Sequence, residues 1–383
     1  MKILRAPYDL PNNARYKIFG SGERCRLLRE ILEKVCPTAE CLGFKTDIAS
    51  TKDHDILLCE PDWPKTLEEL VCAGQDETGI FVIPLPEGYV HAYWEMSRNK
   101  SGLPLNNETF FTQYIYEDGH DNDWRRHYFY YSHELIAENM ARIEAVIYGL
   151  SDHRSREEYK MILSAKPPVI WDHHVKNAFK SMQYFDKCIS VKPGDVIINC
   201  GVHNGFEIPF FLACLAGAGE LHNIDPIGFD FLSDYVRKNI LHFKEICIER
   251  RLALAGYDGT ILLPILNDGQ ALGSAVNVEM PECKSMEFPC VTVDSYVASQ
   301  RPARVDLIKM DLEGAEPHVI PGMVDTIQKF RPQLAVSIYH RKRHLWELPL
   351  FLMKQCEDYR FFIRCYSHKY HETILYAVPA EAG

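Results

Sequence analysis

Twice along its length this chain runs a short apolar strand into a glycine turn, a helix and a second strand that ends beside an acid. That order constrains the fold more than any other feature, because strand, crossover helix and parallel strand make the unit of an α/β sheet. The first instance is Tyr16-Lys-Ile-Phe-Gly-Ser-Gly-Glu-Arg-Cys25, continued by Leu27, Leu28, Ile31, Leu32 and Val35 at helical spacing and by Cys41-Leu-Gly-Phe-Lys-Thr-Asp47. The second is Val196-Ile-Ile-Asn-Cys-Gly-Val-His-Asn-Gly205, followed by an apolar helix and by Leu221-His-Asn-Ile-Asp225.

The chain has 383 residues, enough for two or three domains with a sizeable core. Residues 1–86 read as a small Rossmann-like α/β domain, with further strands at Ile56-Leu-Leu-Cys59 and Gly79-Ile-Phe-Val-Ile83 and a helix near Leu67 to Val71. Residues 87–165 read as a connector rich in aromatic residues, closing with helices over Glu134–Leu150 and Ser155–Ala165, the second capped by Asp152 or Ser155. Residues 166–383 hold the larger unit. Its further strands fall at Arg251–Leu254, Thr260–Ile265, Leu307–Met310, Gln333–Ile338, Tyr359–Arg364 and Thr373–Val378, with a helix over Phe229–Phe243. The expected fold class is α/β, a doubly wound parallel sheet. The last two strands lie too close for a crossover helix and should form an antiparallel hairpin.

Composition narrows the function classes. With 42 Lys and Arg against 53 Asp and Glu, the formal charge of −11 repels phosphate backbones, so bulk nucleic-acid binding is not expected. The 13 cysteines show no C-x-x-C pair and no zinc-type spacing, as for free thiols in a reducing cytoplasm. The opening residues contain no stretch apolar enough for a signal peptide. The longest apolar run, around Ile208 to Ala218, is too short to span a bilayer.

Chemistry concentrates at three strand ends. Gly201 and Gly205 let backbone approach a ligand, and the helix after them offers amide donors through the His203–Asn204 turn. Asp225 closes the next strand about twenty residues on, where a carboxylate accepts both hydroxyls of an adenosine ribose. In Asp306-Leu-Ile-Lys-Met-Asp-Leu-Glu-Gly-Ala-Glu316 a strand presents Asp311 and Glu313 at the same rim, as bases, as ligands for a divalent ion or as partners for an amine. Glu316 reads more simply as a first-turn helix acid. Leu334-Ala-Val-Ser-Ile-Tyr-His340 ends in a histidine able to take a proton, and Arg341-Lys-Arg343 either is solvated or steers an anionic substrate.

From about Ala145 to Ala377 the chain resembles the FkbM family of S-adenosylmethionine-dependent methyltransferases. The resemblance rests on Val146-Ile-Tyr-Gly-Leu-Ser-Asp-His-Arg-Ser155, Gln183-Tyr-Phe185, Asn199-Cys-Gly-Val-His-Asn-Gly205 and the 306–316 segment, with Ser337-Ile-Tyr-His340 and Glu372-Thr-Ile-Leu-Tyr376. It implies a class I methyltransferase fold acting on a hydroxyl of a sugar, glycan or polyketide-like product. It also implies cofactor contacts from Gly201, Asn204 and Gly205, a ribose contact from Asp225, and an acidic active-site rim of Asp311 and Glu313. Asn199 stands where many members have Asp and carries no charge toward the cofactor's ammonium group.

The reading that follows is O-methylation of a sugar, glycan or nucleotide-sugar by direct displacement. S-adenosylmethionine is the cofactor, His340 the leading base, and Asp311 and Glu313 position the acceptor or hold a divalent metal. Asn199, Gly201, His203, Asn204, Gly205 and Asp225 make the cofactor site. The alternative is a catalytically silent glycan or nucleotide-sugar binding protein. An NAD-dependent oxidoreductase working through the front glycine turn is disfavoured, because Cys25 replaces the third glycine of the dinucleotide fingerprint.

Overall fold

The computed structural model describes residues 2–3, 10–19, 23–45, 56–59, 80–82, 131, 133–164, 181–232, 236–237, 240–241, 243–265, 284–366 and 372–381. The front elements are β1 (Lys2–Ile3), β2 (Arg15–Phe19), α1 (Glu23–Val35), β3 (Glu40–Lys45), β4 (Ile56–Cys59) and β5 (Ile80–Val82). Their strands form a five-stranded sheet in the order β1-β5-β4-β2-β3 with every pairing parallel. Leu28, Ile31 and Leu32 recur at helical spacing on α1 and are buried with Tyr16 and Ile18 of β2. The expected helix at 67–71 and the aromatic stretch at 87–130 lie outside the described residues.

Three helices follow: α2 (His133–Glu138), α3 (Met140–Gly149) and α4 (His153–Ser164). The helix expected over 134–150 is therefore interrupted at Asn139. Asp152 caps α4, its Oδ1 accepting the Ser155 N–H at 2.7 Å.

The larger sheet begins with β6 (Val196–Cys200), α5 (Ile208–Leu215), β7 (Glu220–Ile224) and β8 (Cys247–Arg250). Then come β9 (Ala253–Leu254), β10 (Gly259–Ile265), β11 (Lys284–Val291), α6 (Val293–Gln300), β12 (Leu307–Met310), α7 (Glu316–Val319) and α8 (Val324–Phe330). The chain ends in β13 (Gln333–Ser337), α9 (His344–Gln355), β14 (Tyr359–Cys365) and β15 (Thr373–Pro379). Seven strands run in the order β14-β15-β13-β12-β6-β7-β8. All neighbours are parallel except that β15 lies antiparallel to both β13 and β14, which is the expected C-terminal hairpin. Every residue of β6 and β12 is buried, as a central parallel strand with both faces covered requires. The doubly wound sheet is of the class I methyltransferase type.

Two strands differ from the sequence expectation. The edge strand beside β7 is 247–250 rather than 251–254. Only Cys247 of its four residues is buried, so the segment carries no apolar run. Residues 253–254 instead join β10 and β11 in a three-stranded sheet of order β10-β11-β9. The sequence reading passed over β11, whose Pro289 argues against a strand although it pairs with Thr260. Of the helix expected over Phe229–Phe243, residues 236–237 and 240–241 are helical, whereas 229–231 form a turn and 232 and 243 lie outside any helix; the other residues of that span lie outside the described ones.

Candidate active site

Because β6 is flanked by β7 and β12, the carboxyl ends of all three emerge side by side, where open parallel sheets bind ligands. A cleft of about 360 Å3 opens there. Its polar wall is Gly201, His203, Asn204, Glu207, Asp225, Lys309, Asp311, Glu313 and Glu372, and its apolar wall includes Ile227, Phe231, Leu254, Ile261 and Leu263. The β10–β11 sheet thus supplies part of the apolar lining.

The glycine loop is locked from below. Asp225 Oδ2 accepts the N–H groups of Val202 (3.0 Å) and His203 (3.3 Å), and Oδ1 accepts that of Ile227 (2.8 Å). A carboxylate has about four lone-pair directions, so one remains for a further donor. Gly201 sits at φ +79°, and a Cβ there would lie 1.9 Å from the carbonyl oxygen of Asp311. This glycine lets two strand ends meet.

Behind the loop lies a buried charge pair. Lys309, on β12, is 3% exposed; its Nζ donates to the Gly201 carbonyl oxygen, lies 3.4 Å from Glu207 Oε1, and stands 5.0 Å from the Tyr184 ring centroid. Glu207, 1% exposed, also accepts from Asn199 Nδ2 at 2.9 Å, and its second oxygen, Oε2, has no hydrogen-bond partner among the described residues. The Asn199 amide gives its other hydrogen to Asn223 Oδ1 at 2.9 Å.

The acidic rim is a second cluster. His340 is 3% exposed, with Nδ1 2.9 Å from Glu316 Oε1 and Nε2 3.3 Å from Asp311 Oδ1 and 3.6 Å from Glu313 Oε2. Asp311 is oriented by Tyr184, whose hydroxyl donates to Oδ2 at 2.6 Å, and by Tyr339, which donates to Oδ1 at 3.4 Å. Burial alone would lower the imidazole pKa, but Glu316, then Glu313 and Asp311, raise it to about 10. The partner Glu316, despite burial, is pulled to about 2 by His340 and by the Leu312 N–H that it accepts. Burial pushes Glu313 up. Glu372, which accepts from Gln183 Nε2, is raised to about 7 by burial and by Asp311. His344, beyond Glu316, is driven down to about 4, chiefly by burial.

Of the residues expected to form the site, Gly201, His203, Asn204, Asp225, Asp311 and Glu313 all line the cleft. Three do not. Asn199 lies beneath the cleft, wholly buried, and acts on it through Glu207. Gly205 turns the loop at φ +67°, and a Cβ there would meet Leu232, Ile208 and Val236, so packing rather than ligand approach requires the glycine. His340 lies behind Asp311 and Glu313, and the carboxylates around it favour its charged form, which has no lone pair to take a proton. Glu207, Lys309 and Glu372 were not singled out in the sequence. Glu316 is the first-turn acid of α7 that the sequence suggested, and in the fold it also stands 2.9 Å behind His340 Nδ1.

Residues 199–363 match the family model described as the methyltransferase FkbM domain. The chain is similar in structure to the methyltransferase FkbM of Methylobacillus flagellatus KT, at 16% identity and a TM-score of 0.50, over 96% of this chain and 90% of that one. A fainter likeness, with 11% identity and a TM-score of 0.28, is to Aeropyrum pernix fibrillarin in complex with natively bound S-adenosyl-L-methionine, over 50% of this chain and 69% of that one. Among the curated proteins no match was found. Among the described residues no helix is long and apolar enough to cross a membrane.

Proposed function

We propose that the methyltransferase FkbM domain at residues 199–363 transfers the methyl group of S-adenosylmethionine to a hydroxyl of a sugar, glycan or nucleotide-sugar by direct displacement. The observation that carries this reading is the unpartnered, buried Oε2 of Glu207 at a cleft whose other end is apolar. A buried carboxylate oxygen without a hydrogen bond costs about 1–3 kcal/mol, and an ammonium group relieves that cost. Glu207 then supplies the charge that Asn199 lacks.

In this reading the free lone pair of Asp225 takes the ribose, Glu207 holds the ammonium of the amino-acid end, and Ile227, Leu254, Ile261 and Leu263 cover the adenine. Bound in this way, the cofactor presents a sulfonium methyl already activated for attack. The protein's work is to exclude water and to place the acceptor oxygen in line with the carbon–sulfur bond. As the oxygen–carbon bond forms and the carbon–sulfur electron pair leaves with sulfur, the acceptor proton passes to Glu372. That carboxyl lines the cleft with a pKa of about 7, close to where a general base works best. His340, held charged, fixes Asp311 and Glu313 as acceptors for the sugar's other hydroxyls.

Calorimetric titration of the full chain with S-adenosylmethionine tests the reading. One site is expected, weakened about tenfold in Glu207→Gln, a loss of about 1.4 kcal/mol. Glu372→Gln should keep that affinity while the mass shift of one methyl on a panel of free and nucleotide sugars disappears. Absence of any heat would leave the catalytically silent glycan binder in its place.

A further inference from the structure

Asp311, Glu313 and His340 bring together hard and borderline donors that take no proton in the proposed methyl transfer. Their ligand atoms all fall within 4.8 Å of one another. An acidic cluster by itself says little. Here the third member is an imidazole that is almost wholly buried, and neither of its ring nitrogens completes a well-aligned hydrogen bond. Its Nε2 is aimed at the two carboxylates, 3.3 Å from Asp311 Oδ1 and 3.6 Å from Glu313 Oε2. An octahedral ion with bonds of about 2.1 Å holds adjacent ligands about 3.0 Å apart, so the two spacings from Nε2 close on a small divalent ion with shifts of about 0.3 and 0.6 Å, within a donor set spanning at most 4.8 Å.

We propose that Asp311 Oδ1, Glu313 Oε2 and His340 Nε2 form a divalent-cation site of the Mg2+ or Mn2+ class at the floor of the cleft, the ion displacing the Nε2 proton to solvent and taking over the charge that pairs with the two carboxylates when it is absent. The surrounding shell is built for it. Glu316 Oε1 stands 2.9 Å from His340 Nδ1, the carboxylate–histidine arrangement that fixes which ring nitrogen faces a metal. The Tyr184 hydroxyl holds Asp311 Oδ2 at 2.6 Å, turning Oδ1 toward the ring. Asp311 and Glu313 line the cleft, so the ion's remaining positions face the space where an acceptor binds. An acceptor with neighbouring hydroxyls could occupy two of them. This inference rests on the methyltransferase reading for its purpose, though not for its test.

The test is a titration of Mn2+ alone into the full chain without S-adenosylmethionine, following the disappearance of the free-ion electron paramagnetic resonance signal. One bound ion per chain is expected. Asp311→Asn and Glu313→Gln, each verified as folded by circular dichroism, should lose affinity at least tenfold. Glu316→Gln, a positioning change, should lose about 10- to 100-fold. A free-ion signal unchanged by the protein, or binding that survives both Asp311→Asn and Glu313→Gln, overturns the site. Mn2+ bound with no heat from S-adenosylmethionine would sink the transferase reading alone, whereas the reverse pattern would sink only the metal.

Discussion

Glu207 and Lys309 form the residue pair on which the cleft floor depends, with side chains 1% and 3% exposed. Each neutralises the other where water cannot. Removing one partner of such a pair leaves an uncompensated buried charge and costs about 3–5 kcal/mol, whereas removing both costs far less. Lys309→Met should therefore lower the thermal midpoint markedly, and the double variant Glu207→Gln with Lys309→Met should recover part of the loss. Melting curves of both single variants and the double one close the cycle. A Lys309→Met protein that melts like the parent would show the pair to be idle. The sequence made Asn199 the place to look for a charge and exposed its absence. It could not show that a carboxylate eight residues later folds back over it, because that contact depends on where the loop turns. Asp225, Asp311 and Glu313 were legible because each sits directly at a strand end. Their direction is set by the strand, and no long loop intervenes.

At the scale of elements, β14 is the outer strand of the seven-stranded sheet, and its free edge is covered by side chains of α4 and the turn before it. Ser151 Oγ accepts the Phe361 N–H at 2.8 Å, Ser155 Oγ that of Ile363 at 3.0 Å, and Glu158 Oε2 that of Cys365 at 2.8 Å. Alternate amides that would otherwise template another strand are thereby satisfied within the chain. Asp152 adds a charge-assisted bond from Arg364 Nη2 at 2.7 Å. Although burial pushes Asp152 up, its bonds from Arg364 and Ser155 hold it below the ordinary 3.8. A depressed carboxylate stabilises the fold at pH above its unfolded value, and that share is lost as pH falls through the folded value. Asp152→Asn keeps a competent helix cap and removes the charge. The expected outcome is a loss of about 1 kcal/mol near neutrality that shrinks as the pH falls below the ordinary carboxyl value. Thermal melts of both proteins across that range check it, and a pH-independent difference would place the effect in packing instead. The same contrast between local and tertiary information explains which elements were legible. β6, β12, β13 and β15 are mostly apolar and almost wholly buried, so composition marks them. β8 and β11 are strands because neighbours pair with them, and their own residues (a charged edge, a proline) argue otherwise.

For the molecule as a whole, charge is the organising quantity. The chain carries a formal −11, and the cleft concentrates that sign: Glu207, Asp225, Asp311, Glu313 and Glu372 line it against Lys309 and His203. Low-dielectric walls focus such a field on whatever enters. S-adenosylmethionine carries one more positive charge, at sulfur, than the S-adenosylhomocysteine left after transfer. An excess of carboxylates about 6 Å from that sulfur, at an effective dielectric near 20, separates the two by on the order of 1–3 kcal/mol. On the proposed reading, the protein should thus bind the charged cofactor about 5- to 150-fold more tightly than its product at low ionic strength, which also favours product release after each turnover. Added salt screens the cleft mouth, with a Debye length of about 10 Å at 0.1 M and about 3 Å at 1 M, so the ratio should fall as salt rises. Paired calorimetric titrations with the two compounds at low and high salt measure it directly. Equal affinities at every salt concentration would mean that the acidic rim does not face the sulfur, and the orientation assigned to the cofactor would have to be reversed.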